Sequence, residues 1–317
     1  MKQVCRVMEL TLDTTTLIRG FYLASALAIL FVRLVPPLRN RFLNYGARAT
    51  SQTAATKSNN AVSRLLDTIA SFRVPHNYFT HFYILSLATT AFWIGQLTTI
   101  PTPYLSYLLR HTPIPPPSPH PVSPLKTGTA LLLFTGHSIR RLSESFAVPD
   151  SSSTMFVGHY ILGLLFYLVT PLALIIDTLP TLAPALTIDP WSLFTTLNHV
   201  PNLPEIVAVF TSLAMASQQH KQHTYLASLP KYTLPTEGAF RYLVAPHYRA
   251  ECAIYLSLAV LSAPVGGFAN WTVLCAFIFV CVNLTITADG TKKWMLEKFP
   301  EQRKEVVRRA RMMPGVF

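Results

Sequence analysis

Seven stretches of this chain are apolar over about the 20 residues that a helix needs to cross a bilayer. They lie near 17–35, 77–97, 127–146, 155–178, 204–220, 248–266 and 268–288. Half of the 317 residues are apolar and only 13% are charged, against about a quarter in an ordinary soluble domain. The expected fold is therefore an all-α membrane protein with seven transmembrane helices. The first stretch contains LASALA, which looks like a signal-peptide cleavage site. Its apolar run continues through Ile29, Leu30, Phe31 and Val32, so a retained span is expected. Arg19 and Arg33 stand at its two ends, where long side chains snorkel to the interface.

A formal charge of +12 suggests a nucleic-acid partner only until the basic residues are placed. With seven spans, 20 of the 26 lysines and arginines fall in the loops of one side. Positive loops stay cytoplasmic, so the N-terminus is expected to be lumenal and the C-terminus cytosolic. The basicity then encodes topology, with no nucleic-acid binding. The four cysteines, Cys5, Cys252, Cys275 and Cys281, form no disulfide framework, because three of them fall within spans; they read as small apolar residues.

Residues 1–73 read as a first span with a flexible cytosolic loop, and residues 74–317 as a six-helix core with a C-terminal cytosolic tail. Within the loop, residues 44–64 are small, polar and aperiodic. The run TPIPPPSPHPVSP at 112–124 is expected to be a stiff polyproline II spacer. PVGG at 264–267 reads as the tight reversal of a helical hairpin. Asn270-Trp-Thr is a glycosylation sequon, too close to the expected membrane face to be used.

The familiar cofactor fingerprints are missing: there is no G-x-G-x-x-G, no G-x-x-x-x-G-K-[ST], no H-E-x-x-H and no paired C-x-x-C. Of the ten histidines only His220 and His223 are closely spaced, so no metal site is expected. Polar clusters instead sit at the ends of apolar segments. In VPHNYFTHFY, 74–83, a helix from Tyr78 is expected to turn His81 into the bundle among aromatic residues. Tyr78 and Tyr83 by themselves read better as an interfacial aromatic belt than as a site. In HSIRRLSESF, 137–146, Arg140 and Arg141 are either stop-transfer charges or a phosphate clamp, and Arg141 and Glu144 are spaced to pair. In QQHKQHTY, 218–225, Gln219 and His223 share a helical face. Pro246 opens a helix whose residues His247, Glu251 and Tyr255 lie four apart along one side. A carboxylate one turn inside a membrane helix costs a few kcal/mol unless paired, so Glu251 needs a partner: an arginine, the His247 proton or a bound cofactor. Asn283 and Asp289 close the set at the end of the last span.

Taken in order, these clusters resemble the steroid 5-alpha-reductase family, in its polyprenol reductase branch. The strings that carry the resemblance are VPHNYFTHFY, HSIRRLSES with GHYILGLLFY, the Gln219–His223 pair, KYTLPTEGAFRYLVAPHYRAE and ADGTKKWMLEKFPEQR. The resemblance covers most of the chain from residue 74 onward. It implies a multi-pass endoplasmic-reticulum enzyme that uses NADPH to reduce a long-chain polyprenyl lipid, in dolichol biosynthesis for protein glycosylation. It implies no obligate protein partner. It assigns Arg141, Gln219, His223, Tyr232, His247, Tyr248, Glu251, Asn283 and Asp289 to the cofactor; a donor to the substrate carbonyl is needed to stabilise the enolate, and His81, with Tyr83 or Tyr78, is the candidate. The chain carries Ser138 where steroid reductases have a tyrosine, which disfavours a steroid ketone, and Pro230 where they have an arginine. Hydride adds to a carbon–carbon double bond only when a conjugated carbonyl takes up the charge, so the aldehyde polyprenal is favoured over the alcohol. A methyltransferase of the isoprenylcysteine carboxyl type, which shares a Pro-His-Tyr-like opening and a nearby glutamate, is the principal rival. A steroid 5-alpha-reductase and a non-enzymatic channel or scaffold are the others.

Overall fold

The computed structural model describes residues 13–43, 60–98, 102–111, 122–147, 153–180 and 199–315. The expected spans are all helical. They correspond to α1 (Thr14–Leu34), α4 (Phe79–Thr98), α6 (Pro124–Ala147), α7 (Val157–Ile175), α8 (Leu203–Ser228), α9 (Pro246–Leu261) and α10 (Trp271–Lys298). Short helices α2 (Pro36–Phe42), α3 (Ala61–Ser71), α5 (Pro103–His111) and α11 (Arg303–Arg308) connect or follow them.

Among the described residues three helices are long and apolar enough to cross a membrane, namely α1, α7 with its 3-10 extension to Thr178, and α10; α4 and α5 taken together as one broken span would make four, against the seven expected. The reason is visible in the sequence. Helix α9 has 16 residues, short of a bilayer's thickness, while α6 and α8 end in the polar clusters HSIRRLSES and SQQHKQHTY.

Two further expectations change. The aperiodic loop at 44–64 is cut short, because Asn60 caps α3 by accepting from Val62 N; residues 44–59 lie outside the described residues. The proline-rich spacer and Cys5 also fall there, apart from residues 122–124, where Pro124 opens α6. Nor do the arginines of α1 snorkel freely: Arg19 donates to Thr272 and pairs with Asp177, and Arg33 reaches Asp289 at 2.5 Å.

Each helix buries the stripe its sequence offers. On α1 the buried residues Ile18, Tyr22, Ala26 and Ile29 recur every three or four positions, and Tyr22 packs on Phe166 of α7 and Phe279 of α10. Its hydroxyl bonds Thr170, so the polar tip of a fully buried ring is satisfied. Pro246 at the first turn of α9 removes a donor that has no helical partner there. The capping box of Asn202 and Glu205 starts α8, and α8, α9 and α10 pack in sequence, with α6 against the first two. Asn270 is buried and its side chain caps α10 through Thr272 N and Val273 N, which closes the sequon to modification. Strand β1 (Arg73–Pro75) pairs antiparallel with β2 (Thr154–Phe156), tying the start of α4 to the start of α7.

The C-terminal segment is docked on the helices. Ala310 forms a parallel bridge with Leu243, and Arg309 is 1% exposed with Nη1 donating to Pro235 O at 2.7 Å. Asp289 gathers Arg33, Lys293 and Arg311, joining α1, α10 and the C-terminal segment at one end of the bundle.

Candidate functional site

At that same end a cavity of about 870 Å³ opens among α4, α6, α7, α8, α9 and α10. It has two chemically distinct parts.

The polar part is built by the clusters at the helix ends. Glu144, on the last turns of α6, accepts four donors: Arg140 Nη1 at 2.6 Å and His220 Nδ1 at 2.8 Å on one oxygen, His223 Nδ1 at 2.7 Å and Arg141 Nη1 on the other. A carboxylate has about four acceptor positions, and all are filled. Arg140 also donates to Gln219 Oε1 at 2.5 Å and meets His137 Nδ1 at 3.1 Å. Gln219 Nε2 in turn donates to Glu251 and to His247 O at 3.2 Å. Glu251 faces His137 Nε2 at 3.2 Å. With His137 Nδ1 accepting from Arg140, its proton belongs on Nε2, toward Glu251. The buried carboxylate thus has the partners that its position requires. They come from α6 and α8, not from Arg249.

The aromatic part lies deeper. Phe82 stacks on Tyr167 with centroids 6.0 Å apart, and Tyr83 meets Tyr167 edge-on at 5.4 Å. Phe166 packs on Tyr255 and Phe279. A Cβ on Gly163 would lie 2.6 Å from the Phe82 ring tip, so only glycine lets that ring sit where it does. The guanidinium of Arg141 stands 5.3 Å from the Tyr83 ring centroid, at the junction of the two parts.

Most of the residues expected at the site converge here. Arg141, Gln219, His223, His247, Tyr248 and Glu251 line the cavity, as do Asn283 and Tyr83. Four do not. Tyr232 is away from it, with φ at +66°, between Lys298 and Trp294. Asp289 is engaged by its three cations. His81 and Tyr78 are both exposed, and His81 Nδ1 bonds Tyr160 OH at 2.8 Å. The expected inward turn of His81 fails because α4 buries Phe82, Tyr83, Ser86, Thr89 and Thr90, and His81 projects from the opposite side. Among the described residues no group of three potential metal ligands forms a metal site.

The sequence reading assigned no role to His137, His220, Tyr167 or Tyr160. His137 had a signal, since it lies three residues before Arg140 and four before Arg141 on one helix. The polar part keeps hydrogen-bonding groups to offer a polar ligand. Among the described residues His247 Nδ1 is buried in its wall without a hydrogen-bond partner, and of the five donors of a guanidinium Arg141 uses only Nη1 on protein groups.

A family described as 3-oxo-5-alpha-steroid 4-dehydrogenase matches residues 198–317. The polyprenal reductase of Saccharomyces cerevisiae is 30% identical over 262 residues, covering 82% of this chain and 81% of that protein. The polyprenal reductase of Ailuropoda melanoleuca is 28% identical over 310 residues, covering 89% and 91%. Polyprenal reductase 2 of Oryza sativa subsp. japonica is 29% identical over 280 residues, covering 73% and 77%.

Proposed function

Since the chain belongs to the polyprenal reductases of the steroid 5-alpha-reductase family, we propose that it reduces the α-isoprene double bond of polyprenal with hydride from NADPH. The observation that carries this reading is the two-part cavity, polar with Arg141, His223, His247 and Glu251 in one part, aromatic in the other.

NADPH, when bound, supplies the hydride. Arg141, His223, His247, Glu251 and Asn283 hold it, and Gln219 keeps Glu251 in place through its own bonds to Arg140 and the His247 carbonyl. Arg140 and Arg141 both pair with Glu144, so one carboxylate is shared by two guanidiniums and a phosphate meets the positive charge left over. The aromatic walls exclude water from the aldehyde and its isoprene unit. Addition at the β carbon moves the electron pair to the aldehyde oxygen, and a hydroxyl aimed there stabilises the enolate. Tyr83 is the one of the three expected donors that faces the cavity, with Arg141 at its ring. Protonation at the α carbon then gives the saturated aldehyde, and a separate carbonyl reduction gives the alcohol. This reading places the chain as a multi-pass protein of the endoplasmic-reticulum membrane, supplying dolichol for protein glycosylation.

The test is incubation of the purified chain with NADPH and, separately, polyprenal, polyprenol and a steroid enone. Saturation of the α-isoprene unit of polyprenal alone is expected. Turnover of the steroid but not of polyprenal, or methyl transfer from S-adenosylmethionine, would overturn it.

A further inference from the structure

The C-terminal segment builds a second cleft that shares no residue with the large cavity. It encloses about 680 Å³ between Arg241 and Tyr242 on one side and Lys304 and Arg308 of α11 on the other, with Ala310, Pro314 and Gly315 completing it. Its walls are held by backbone bonds: Ala310 N donates to Tyr242 O at 2.9 Å and Val244 N to Ala310 O at 2.9 Å. Buried Arg309 locks the two sides by donating to Pro235 O and pairing with Glu305.

That pairing decides the charge of the cleft. Glu305 is the one carboxylate among the lining residues, and Arg309 takes it. None of Arg241, Lys304 and Arg308 forms an ion pair among the described residues; Arg241 has only a 3.3 Å bond from Nε to Thr236 O. Three exposed cations therefore converge on a shaped hollow without a counter-charge. The flanks are apolar and exposed as well: Tyr242 is 70% exposed, Val307 54% and Met313 40%. A free inorganic anion gains nothing from such a rim, whereas an anion carried on a hydrocarbon chain uses both features. The position suits this, since α11 begins only a few residues after α10, a candidate membrane span, has ended at Lys298.

We infer that this cleft binds the phosphate headgroup of a membrane lipid, next to but separate from the reductase cavity. The phosphate oxygens face Arg241, Lys304 and Arg308, and the chain runs past Tyr242, Val307 and Met313 into the bilayer.

The experiment uses the full chain in nanodiscs of phosphatidylcholine, with and without a minor fraction of phosphatidic acid, and reads the thermal midpoint as phosphatidic acid is increased. A saturable rise is expected. The double variant Arg241→Gln/Arg308→Gln should need roughly 30-fold more phosphatidic acid for the same rise, from the usual contribution of a basic residue near an anionic lipid surface. Its NADPH-dependent polyprenal reduction in phosphatidylcholine alone should be unchanged. If the double variant melts below the wild type without phosphatidic acid, Lys304→Gln replaces it, with a shift of about fivefold. Equal responses of wild type and variant would overturn the site and leave only general surface electrostatics. A rise produced equally by inorganic phosphate would overturn the lipid assignment.

Discussion

Replacing Glu251 by glutamine keeps the shape of the side chain and removes its charge, and the surrounding bonds set the cost. Gln219 cannot rotate its amide to compensate: its oxygen accepts from Arg140 Nη2 and its nitrogen donates to the His247 carbonyl as well as to Glu251. Gln219 Nε2 donates to the Glu251 carboxylate, and His137 Nε2 faces it at 3.2 Å as an electrostatic neighbour without a hydrogen bond. Glutamine at 251 removes the charge that both face. The loss of one charge-assisted bond costs about 1.5–3 kcal/mol, which corresponds to roughly tenfold to hundredfold in affinity. On the proposed function these groups form the wall that holds NADPH, so the dissociation constant of NADPH should rise by that factor, measured by titration of the purified full chain. A constant within about threefold of wild type would refute the claim that this carboxylate organises the cofactor part of the cavity.

Tyr83→Phe should lower kcat for polyprenal by about 100-fold or more, with KM little changed, as expected for a lost enolate donor; His81→Ala, on the outer side of α4, should leave kcat within about twofold. Gly163→Ala should push the Phe82 ring and destabilise the protein by about 1–3 kcal/mol; Phe82→Leu in the same chain should recover much of that loss in a double-mutant melting comparison. Asp289→Asn leaves Arg33, Lys293 and Arg311 without their shared carboxylate. Since those cations are partly exposed to water, it should cost about 1–3 kcal/mol and make the C-terminal segment the first site of limited proteolysis.

The features legible in the sequence were those carried within one helix. The four-residue steps of His247, Glu251 and Tyr255, and of Gln219 and His223, place each set on one side of its helix, and the cavity is where those sides meet. The need of Glu251 for a partner came from the cost of burying a charge. The identity of that partner did not, because His137 lies on α6, more than a hundred residues away, and only packing brings them together. His81 misled for the opposite reason: its neighbours are aromatic, but the buried stripe of α4 runs through Phe82, Tyr83 and Ser86. The helical character of all seven stretches was legible from composition, whereas α6 and α8, apolar for only part of their length, do not qualify as spans by length and composition. The docking of the basic C-terminal segment was not legible, because neither its bridge to Leu243 nor the burial of Arg309 leaves a local pattern.

The most direct measurement is to supply NADPH carrying deuterium at the transferable position of its nicotinamide and to locate the label in the polyprenal product. A cavity that sets the cofactor against a conjugated aldehyde requires deuterium on the β carbon of the α-isoprene unit, with the aldehyde retained. Deuterium on the carbonyl carbon, or an unlabelled product, would contradict it.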